Sequence, residues 1–585
     1  MWLLLIAFVA GGLLPFAFAP INIFTLAFFM PAVLLFLWLK GSPGRAFWIG
    51  LCFGIGLFGV GSSWVYISIH TFGNASPWLA GGLTALLILV LSLYPAIQGY
   101  LIRKLWKNKS DAIVCLCVFP ATWVLFEYIR SFLFAGFPFL FLGYTQTDNP
   151  LSGLAPLFGV YGLSLVVALI SGALVLLTRR ATRMQKLLPI GLIILCVAVG
   201  FSYHKHYWTK PVSKPIQMSL VQGNVSQQIK WEPKELMGII SKYKSLTEKQ
   251  WDSRIIVWPE AAVPFFPDQL PTFFDDMAAQ AKQHDATLVI GAPLMGTRTQ
   301  LYYNGLLLLG DSHGSYRKRH LVPFGEYIPL QNIFGALMKK LDIPLSNLTP
   351  GPQQQAPLVI DGIPIAAFIC YETAFPIETL HEMKGKQLGI NIVDDAWFGH
   401  SFAAAQQLQM TQMRALETGR YIAVTANTGI TAMINPFGQL TDALPIDKTG
   451  ETLIAHEDFM LVVSYNPGYQ NMLKGLKPST RQRFVAMRFE YPDAKLEQTI
   501  VQQETGLDDD MAATLVKIAG NIRNLKDHDL EEAASTRLLI YAGTLIKSGM
   551  APIAACTAAL IEPLSDDESV CAALTALVKI NLPVE

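Results

Sequence analysis

The chain has 585 residues and a formal net charge of +1, and it is 52% hydrophobic but only 15% charged, where ordinary soluble domains carry about 25% charged residues. The length argues against one compact domain, and the near-neutral balance, with no basic stripe carrying interleaved aromatics, argues against a nucleic-acid partner. Seven cysteines, four of them inside apolar runs, do not make a disulfide framework.

In chain order, seven apolar stretches long enough to cross a hydrocarbon layer of about 30 Å occur at roughly 2–19, 21–39, 46–67, 77–102, 111–129, 158–178 and 187–203. The first has no charged segment before it and runs straight into the second, so it reads as a retained helix and not as a cleaved signal. Lys and Arg are held on the cytoplasmic side of a membrane. They gather between spans two and three (Lys40, Arg45), four and five (Arg103, Lys104, Lys107, Lys109) and six and seven (Arg179, Arg180, Arg183, Lys186), whereas alternate loops such as 68–77 are almost free of them. The amino terminus is therefore expected inside, and everything after span seven is expected to begin outside. A transmembrane domain of seven helices over 1–205 follows.

From about Ile216 the pattern changes to the short runs IQMSLVQGNV, RIIVWPEAA, TLVIGAPL, YNGLLLLG, IPIAAFICYE, LGINIVDDAW and YIAVTANTG. Their mostly apolar character predicts strands buried on both faces. With helical periodicity over 271–284 and 404–419, they predict an α/β layered domain over 215–442. From 443 the composition turns soluble, with helices expected over 494–504, 510–523 and 530–548. The most apolar piece there, 538–560, holds Lys547 and two glycines and is read as a soluble segment, not an eighth span.

Acyl transfer through a thiol needs a nucleophile, a base for its proton, and positive charge where the carbonyl oxygen becomes negative. Cys370 ends the apolar run in AAFICYE, with no other cysteine between Cys196 and Cys556. Glu260 follows the strand in VWPEAA, behind Pro259, and Lys318 lies near the end of a strand-like segment in SYRKRHLVPFGE. Strand ends are where α/β proteins tend to place site residues. Taken singly, each also fits a plainer reading: a core thiol, a solvated turn carboxylate, and a surface lysine among Arg317, Arg319 and His320. His204 and His206 in YHKHYW have no Cys or carboxylate at ligand spacing and read as a hydrated loop instead of a metal site.

VWPEAA, KRHLVPFGEYIPL, ICYE, NIVDDAWFG and QMTQMRALETGRYIAVTANTGITAMINPFG, in that order, resemble the nitrilase superfamily and within it the apolipoprotein N-acyltransferase family; PFAFAP, SSWVYISIHTFG and GFPFLFLGYTQ resemble that family's membrane-domain motifs. The resemblance covers about residues 1–442. It implies a polytopic α-helical membrane domain followed by a nitrilase-like αββα sandwich, with Cys370 as nucleophile, Glu260 as general base and Lys318 as the oxyanion-stabilising cation. Glu326 falls where the family has a further glutamate supporting the site, Tyr371 and Glu372 match the pair that follows the nucleophile, and Trp231 in IKWEP matches a loop tryptophan near the acyl entrance. The implied reaction takes an acyl chain from the sn-1 position of a phospholipid, with phosphatidylethanolamine the expected donor. It passes the chain through a thioester to the α-amine of a diacylglyceryl-cysteine apolipoprotein. No cofactor or metal is implied. The expected setting is a monomer in the bacterial inner membrane with its catalytic domain on the periplasmic side, and Phe265, Phe266 and the 132–141 stretch are candidates to line an opening toward lipid. Two other readings use the same chain: a membrane-tethered amidase that turns the triad on water, and a non-catalytic assembly factor acting through its tail.

The family pattern ends with a further outer strand and an eighth transmembrane helix, and neither is evident here. Instead DKTGETLIAHEDFMLVVSYNPGYQNMLKGLKPSTRQRF and LEEAASTRLLIYAGTLIKSGM resemble the carboxy-terminal portion of MoxR-type AAA+ ATPases, with Asn466 at the sensor-1 position and Arg537 at sensor-2. Nothing in the chain fits G-x-x-x-x-G-K-[ST], and an acidic Walker B strand is missing too, so there is no loop to cradle phosphates. Residues 443–585 are expected to be a small α-helical fragment joined by fusion, not an ATPase.

Overall fold

Ser-Pro pairs start two of the long apolar helices. In the computed structural model, Ser42 and Ser76 accept from the backbone N–H of Arg45 and Leu79, and Pro43 and Pro77 open the helices Pro43–Gly61 and Pro77–Leu105, a pairing that satisfies one orphan donor and removes another. The structure describes residues 1–179, 183–212, 215–296, 301–328, 348–444, 491–524, 534–565 and 567–582. Among these, five helices are long and apolar enough to cross a membrane: Pro43–Gly61, Pro77–Leu105, Asp111–Arg130, Pro150–Leu177 and Lys186–Tyr203. The first two of the seven expected spans are shorter. Trp2–Leu13 passes into a 3-10 turn at Pro15, and Leu26–Leu39 has 14 residues, about 21 Å at 1.5 Å per residue. The sixth begins earlier than the hydropathy suggests, because a 3-10 segment from Pro150 leads into it and Gly159, at φ +64°, breaks it near its start.

Small residues bring these helices close together, the usual solution where lipid offers no hydrophobic drive between them. A Cβ at Gly56 would lie 2.2 Å from the Phe8 carbonyl oxygen, one at Gly11 2.0 Å from that of Phe53, and one at Gly50 2.3 Å from that of Pro95.

The α/β layer consists of two sheets. The first contains β1 (Met218–Leu220), β2 (Ile255–Val257), β3 (Thr287–Met295), β4 (Tyr302–Gly310) and β5 (Gly314–Arg317) in that order, parallel through β3 and then antiparallel. The second contains β6 (Leu358–Ile360), β7 (Ile363–Ile369), β8 (Leu388–Val393), β9 (Tyr421–Ala426), β10 (Thr431–Ile434) and β11 (Leu440–Leu444), with β7, β8 and β9 parallel. Alternate residues face alternate layers. Ile255 and Val257 meet Ile365, Ile390, Ile392 and Val424 between the sheets, while Ile256 turns outward onto Tyr243 and Met277 of the helices Leu236–Glu248 and Pro271–Gln283. This is the expected αββα sandwich. The sequence reading missed β6, β10 and β11, which are short or only partly apolar, while β5 is the strand-like segment read just ahead of Lys318.

The helix Ala403–Thr418 covers the second sheet and is buried almost all round, because its outer side meets the membrane helices. Glutamines make that contact. Gln406 donates to the Gly61 carbonyl at 3.1 Å and accepts from the Trp64 indole at 3.3 Å. Gln409 accepts from Ala19 N–H at 3.2 Å and donates to Asn22 at 3.1 Å. Membrane helices and sandwich thus fall within one compact unit, Met1–Ile454; Ala455–Glu585 forms a second.

In the second unit, the helices Ala494–Thr505, Asp509–Arg523, Thr536–Lys547 and Glu568–Asn581 bury Val501, Leu515, Ile518, Leu539, Leu560, Leu574 and Val578 together. Glu497 is buried against both guanidinium nitrogens of Arg523, at 2.7 and 2.6 Å. Arg537 is exposed on its helix, and Asn466 lies outside the described residues. The apolar 538–560 segment is divided at Ser548–Gly549 between short helices, none long enough to cross a membrane.

The glycine contacts make a direct prediction. Gly56→Leu is expected to cost about 1–3 kcal/mol or more by overpacking, whereas Gly59→Leu on the same helix, with nothing within 4 Å of the added Cβ, is expected to be near neutral. Equal melting temperatures for the two variants in detergent would refute the close crossing.

Candidate active site

Glu260, Lys318 and Cys370 come from three strand ends. Glu260 follows β2, Lys318 follows β5 and Cys370 follows β7. Gly291 on β3 permits the Glu260 turn to settle, since a Cβ there would lie 2.2 Å from the Pro259 carbonyl oxygen. Lys318 pairs through its backbone N–H with the Asn304 carbonyl on β4 at 2.9 Å, so the two side chains point to the same place.

There the Lys318 ammonium, only 1% exposed, donates to Glu260 Oε1 at 3.3 Å and to Glu326 Oε1 at 2.9 Å. Asn304 Nδ2 bridges the same two oxygens at 2.7 and 2.8 Å. The other Glu260 oxygen accepts from Asp394 N–H at 2.9 Å, and the other Glu326 oxygen from Val322 N–H at 2.8 Å. Burial works against the Lys318 charge, but Glu260, Glu326 and Cys370 outweigh it and hold the ammonium above the ordinary lysine range. Burial also raises the Glu260 carboxyl, opposed by Lys318 and reinforced by Glu326 and Asp394; a carboxylate moved upward in this way is a stronger base.

Cys370 is buried at the first position of a 3-10 turn, Cys370–Ala374, with φ +55°. That left-handed backbone costs a non-glycine residue of order 1–3 kcal/mol, strain of a kind that clusters at functional sites. Gln407 Nε2 donates to its sulfur at 3.5 Å. Burial pushes the thiol well above its usual range, the charges of Glu260 and Asp395 add to this, and Lys318 and Gln407 oppose it. At rest the group is a thiol that needs a base.

Glu372 fixes the spacing between the β5 and β7 ends. One carboxylate oxygen accepts from Tyr316 hydroxyl at 2.9 Å, Arg319 N–H at 2.7 Å and His320 N–H at 3.3 Å, and the other accepts from Ile369 N–H at 2.8 Å. It therefore ties the residues after Lys318 to the residue before Cys370. Tyr371 faces the other way: its hydroxyl donates to the Gly136 carbonyl at 3.0 Å and its ring stacks with Phe139. Trp231 is 52% exposed and makes no hydrogen bond or ring contact among the described residues. Of the phenylalanines expected at a lipid opening, Phe139 and Phe141 are instead buried in the membrane-domain core, while Phe132 is exposed.

Sequence reasoning missed several members of this centre. Lys230, buried beside Trp231, donates to the Glu260 carbonyl oxygen at 3.0 Å and to Asp394 Oδ2 at 2.5 Å. Asn304, Gln407 and Asp394 were missed as well. Signals existed: Asn304 is the one amide in the strand run YNGLLLLG, and a double acid at a strand end, in NIVDDAW, is costly unless it is used. Together the groups make an enclosed thiol, a carboxylate of raised basicity and a fixed ammonium, the parts that acyl transfer through a thioester requires.

Comparison with known proteins identifies the family. Residues 10–173 match the apolipoprotein N-acyltransferase N-terminal domain, residues 217–466 the carbon-nitrogen hydrolase family, and residues 497–581 the CbbQ/NirQ/NorQ C-terminal family. The apolipoprotein N-acyltransferase of Coxiella burnetii is 48% identical over 440 residues, covering 75% of this chain and 91% of the relative. The enzymes of that name from Methylococcus capsulatus and Azotobacter vinelandii are 41% and 39% identical, covering 76% and 82% of this chain and 88% and 91% of theirs. With most of each relative's length matched at such identity, the chain belongs to the apolipoprotein N-acyltransferase family.

Proposed function

We propose that this membrane acyltransferase takes an acyl chain from a phospholipid onto Cys370 and passes it to the N-terminal amine of a diacylglyceryl-cysteine apolipoprotein. The observation that carries the reading is the Glu260–Lys318–Glu326–Asn304 network together with the enclosed Cys370 thiol, whose sulfur accepts from Gln407. Glu260 takes the Cys370 proton as sulfur attacks the ester carbonyl, Lys318 faces the oxyanion, and Glu260 returns the proton to the departing lysophospholipid alkoxide. Phosphatidylethanolamine is the proposed donor. The three reacting side chains belong to one chain, which supports action as a monomer. We assign the membrane part to 1–205, the catalytic part to 215–442 and the fused helical part to 443–585.

Both substrates carry acyl chains whose burial is worth about 0.8 kcal/mol per methylene, so they stay in the bilayer and the catalytic layer must come to them. Its docking onto the membrane helices through Gln406, Gln409 and Tyr371 supports that arrangement. The loop charges support a periplasmic catalytic face in the inner membrane.

Cys370→Ser is expected to eliminate a hydroxylamine-sensitive acyl-enzyme formed from labelled phosphatidylethanolamine, and Lys318→Met to slow its formation by about 10²–10³-fold. A thioester of normal abundance on the Cys370→Ser protein would refute the assignment. For topology, single cysteines at Asn74 and Asn108 in a background without the seven native cysteines are expected to label differently in spheroplasts. An impermeant maleimide should reach position 74 and not 108, and the reverse pattern would overturn the orientation. Lys230→Met leaves Asp394 as an unpaired buried charge and is expected to cost about 3–5 kcal/mol. Adding Asp394→Asn should recover melting temperature, and no recovery would show that the pair is not coupled.

A further inference from the structure

Asp395 is buried next to this chemistry and is used by none of it. Its Oδ1 is enclosed and has no hydrogen-bond partner among the described residues. Its Oδ2 lies against Gly429, where a Cβ would come within 2.2 Å, so the chain leaves out a side chain to make room for the carboxyl. The preceding residue donates its N–H to Glu260 Oε2 at 2.9 Å, which sets Asp395 one residue from the base, and its charge is felt by the Cys370 thiol. Leaving a buried carboxyl oxygen without a donor costs free energy. Such a cost is expected where an incoming group supplies the missing donor.

The location indicates which group. Asp395 opens the 3-10 turn Asp395–Phe398, whose remaining residues meet the loop between the Pro43–Gly61 and Pro77–Leu105 helices. Trp397 accepts from Ser68 hydroxyl at 2.8 Å and packs on Phe72, and Phe398 packs on Trp64 at 4.9 Å. Asp395 therefore lies between the base and the face toward the membrane domain, on the side from which a bilayer-anchored acceptor reaches a thioester. An acceptor N-terminus arrives largely as an ammonium, with an ordinary α-amine pKa of about 7.7–8.0, and a cation is the donor that an unpartnered carboxylate lacks.

We propose that Asp395 receives the acceptor's α-ammonium and takes its first proton, leaving Glu260 free for the second. This rests on the acyltransfer reading above. The ammonium transfers one proton to the Asp395 carboxylate. The freed nitrogen lone pair forms the C–N bond at the thioester carbonyl, whose oxyanion faces Lys318. Glu260 takes a second proton from nitrogen and delivers it to sulfur as the C–S bond breaks. The products are the amide, the free Cys370 thiol and a protonated Asp395, which returns its proton to solvent. Burial, then the Asp394 and Glu260 charges, push the Asp395 carboxyl up to about 8, so at neutral pH it releases its own proton to solvent as the cation binds, and the exchange with an α-ammonium at about 7.7–8.0 is then nearly balanced.

The test separates the two half-reactions in the full chain. Asp395→Asn is expected to form the thioester from phosphatidylethanolamine at the wild-type rate and to release it normally to hydroxylamine, an amine that is uncharged at neutral pH. Transfer to a diacylglyceryl peptide should fall about 100-fold, within the range for loss of a general base. Asp395→Glu, which keeps an acid on a longer arm, should recover much of that transfer. The proposal is overturned if Asp395→Asn transfers to the peptide within about threefold of wild type, if thioester formation or hydroxylamine release falls as far as peptide transfer does, or if Asp395→Glu does no better than Asn. Absence of any thioester on the wild-type protein would instead refute the acyltransfer reading on which this rests.

Discussion

The buried Lys318 ammonium is the interaction on which the rest of the site depends. Removing a lysine charge from water carries a penalty of several kcal/mol that only excellent pairing offsets, and here the pairing is complete: two carboxylates and, beside them, an amide that holds the same two oxygens. Removing any one member leaves the others short of a partner. The network therefore acts as a unit that fixes the Glu260 carboxylate relative to the Lys318 ammonium, with one Glu260 oxygen shared and the other held by Asp394 N–H. Catalysis by preorganised charge requires this arrangement, because dipoles already in place need no reorganisation when the oxyanion forms.

Two consecutive residues then join this centre to its surroundings in opposite directions. Glu372 points inward and binds the β5 and β7 ends together through four donors. Tyr371 points outward and reaches the Gly136 carbonyl of the membrane part. The helix Ala403–Thr418 repeats the division along its length, with Gln407 on the sulfur and Gln406 and Gln409 on the membrane helices. Amide side chains suit such a boundary, since each both donates and accepts. The thiol is thus referenced to the sheet and to the membrane helices at once.

How much of this could be read in advance follows from how far each signal extends along the chain. Helices and buried strands are local patterns of apolar residues, so the sandwich and two of its covering helices, Pro271–Gln283 and Ala403–Thr418, were legible, as was the convergence of Glu260 and Lys318 on one place once their flanking motifs were taken together. What failed depended on distance in the fold. Lys230 looks like an ordinary surface lysine in IKWEP, and only the β2 turn and the β8 end folding over it bury it. Asn304 is a single amide in a strand, and its role exists only because Lys318 pairs beside it. The two short amino-terminal helices were read as full spans because hydropathy does not register where Pro15 ends regular helix. β11 is mostly exposed along its length, so burial periodicity could not mark it.

The carboxy-terminal helices bear on this chemistry by what they do not need. Their apolar residues cover one another, and their buried acid, Glu497, is met by Arg523 and Thr536 from within the same unit. A segment that satisfies its own buried charge avoids the cost of leaving that charge unpaired. Conversely, every group described at the acyl-transfer centre lies between Lys230 and Gly429, inside the first compact unit. The chemical demand on the first unit is set by charge: four carboxyls, Glu260, Glu326, Asp394 and Asp395, share two ammonium groups, Lys230 and Lys318. In a water-poor interior, the surplus of acid over base is what an incoming cation would relieve.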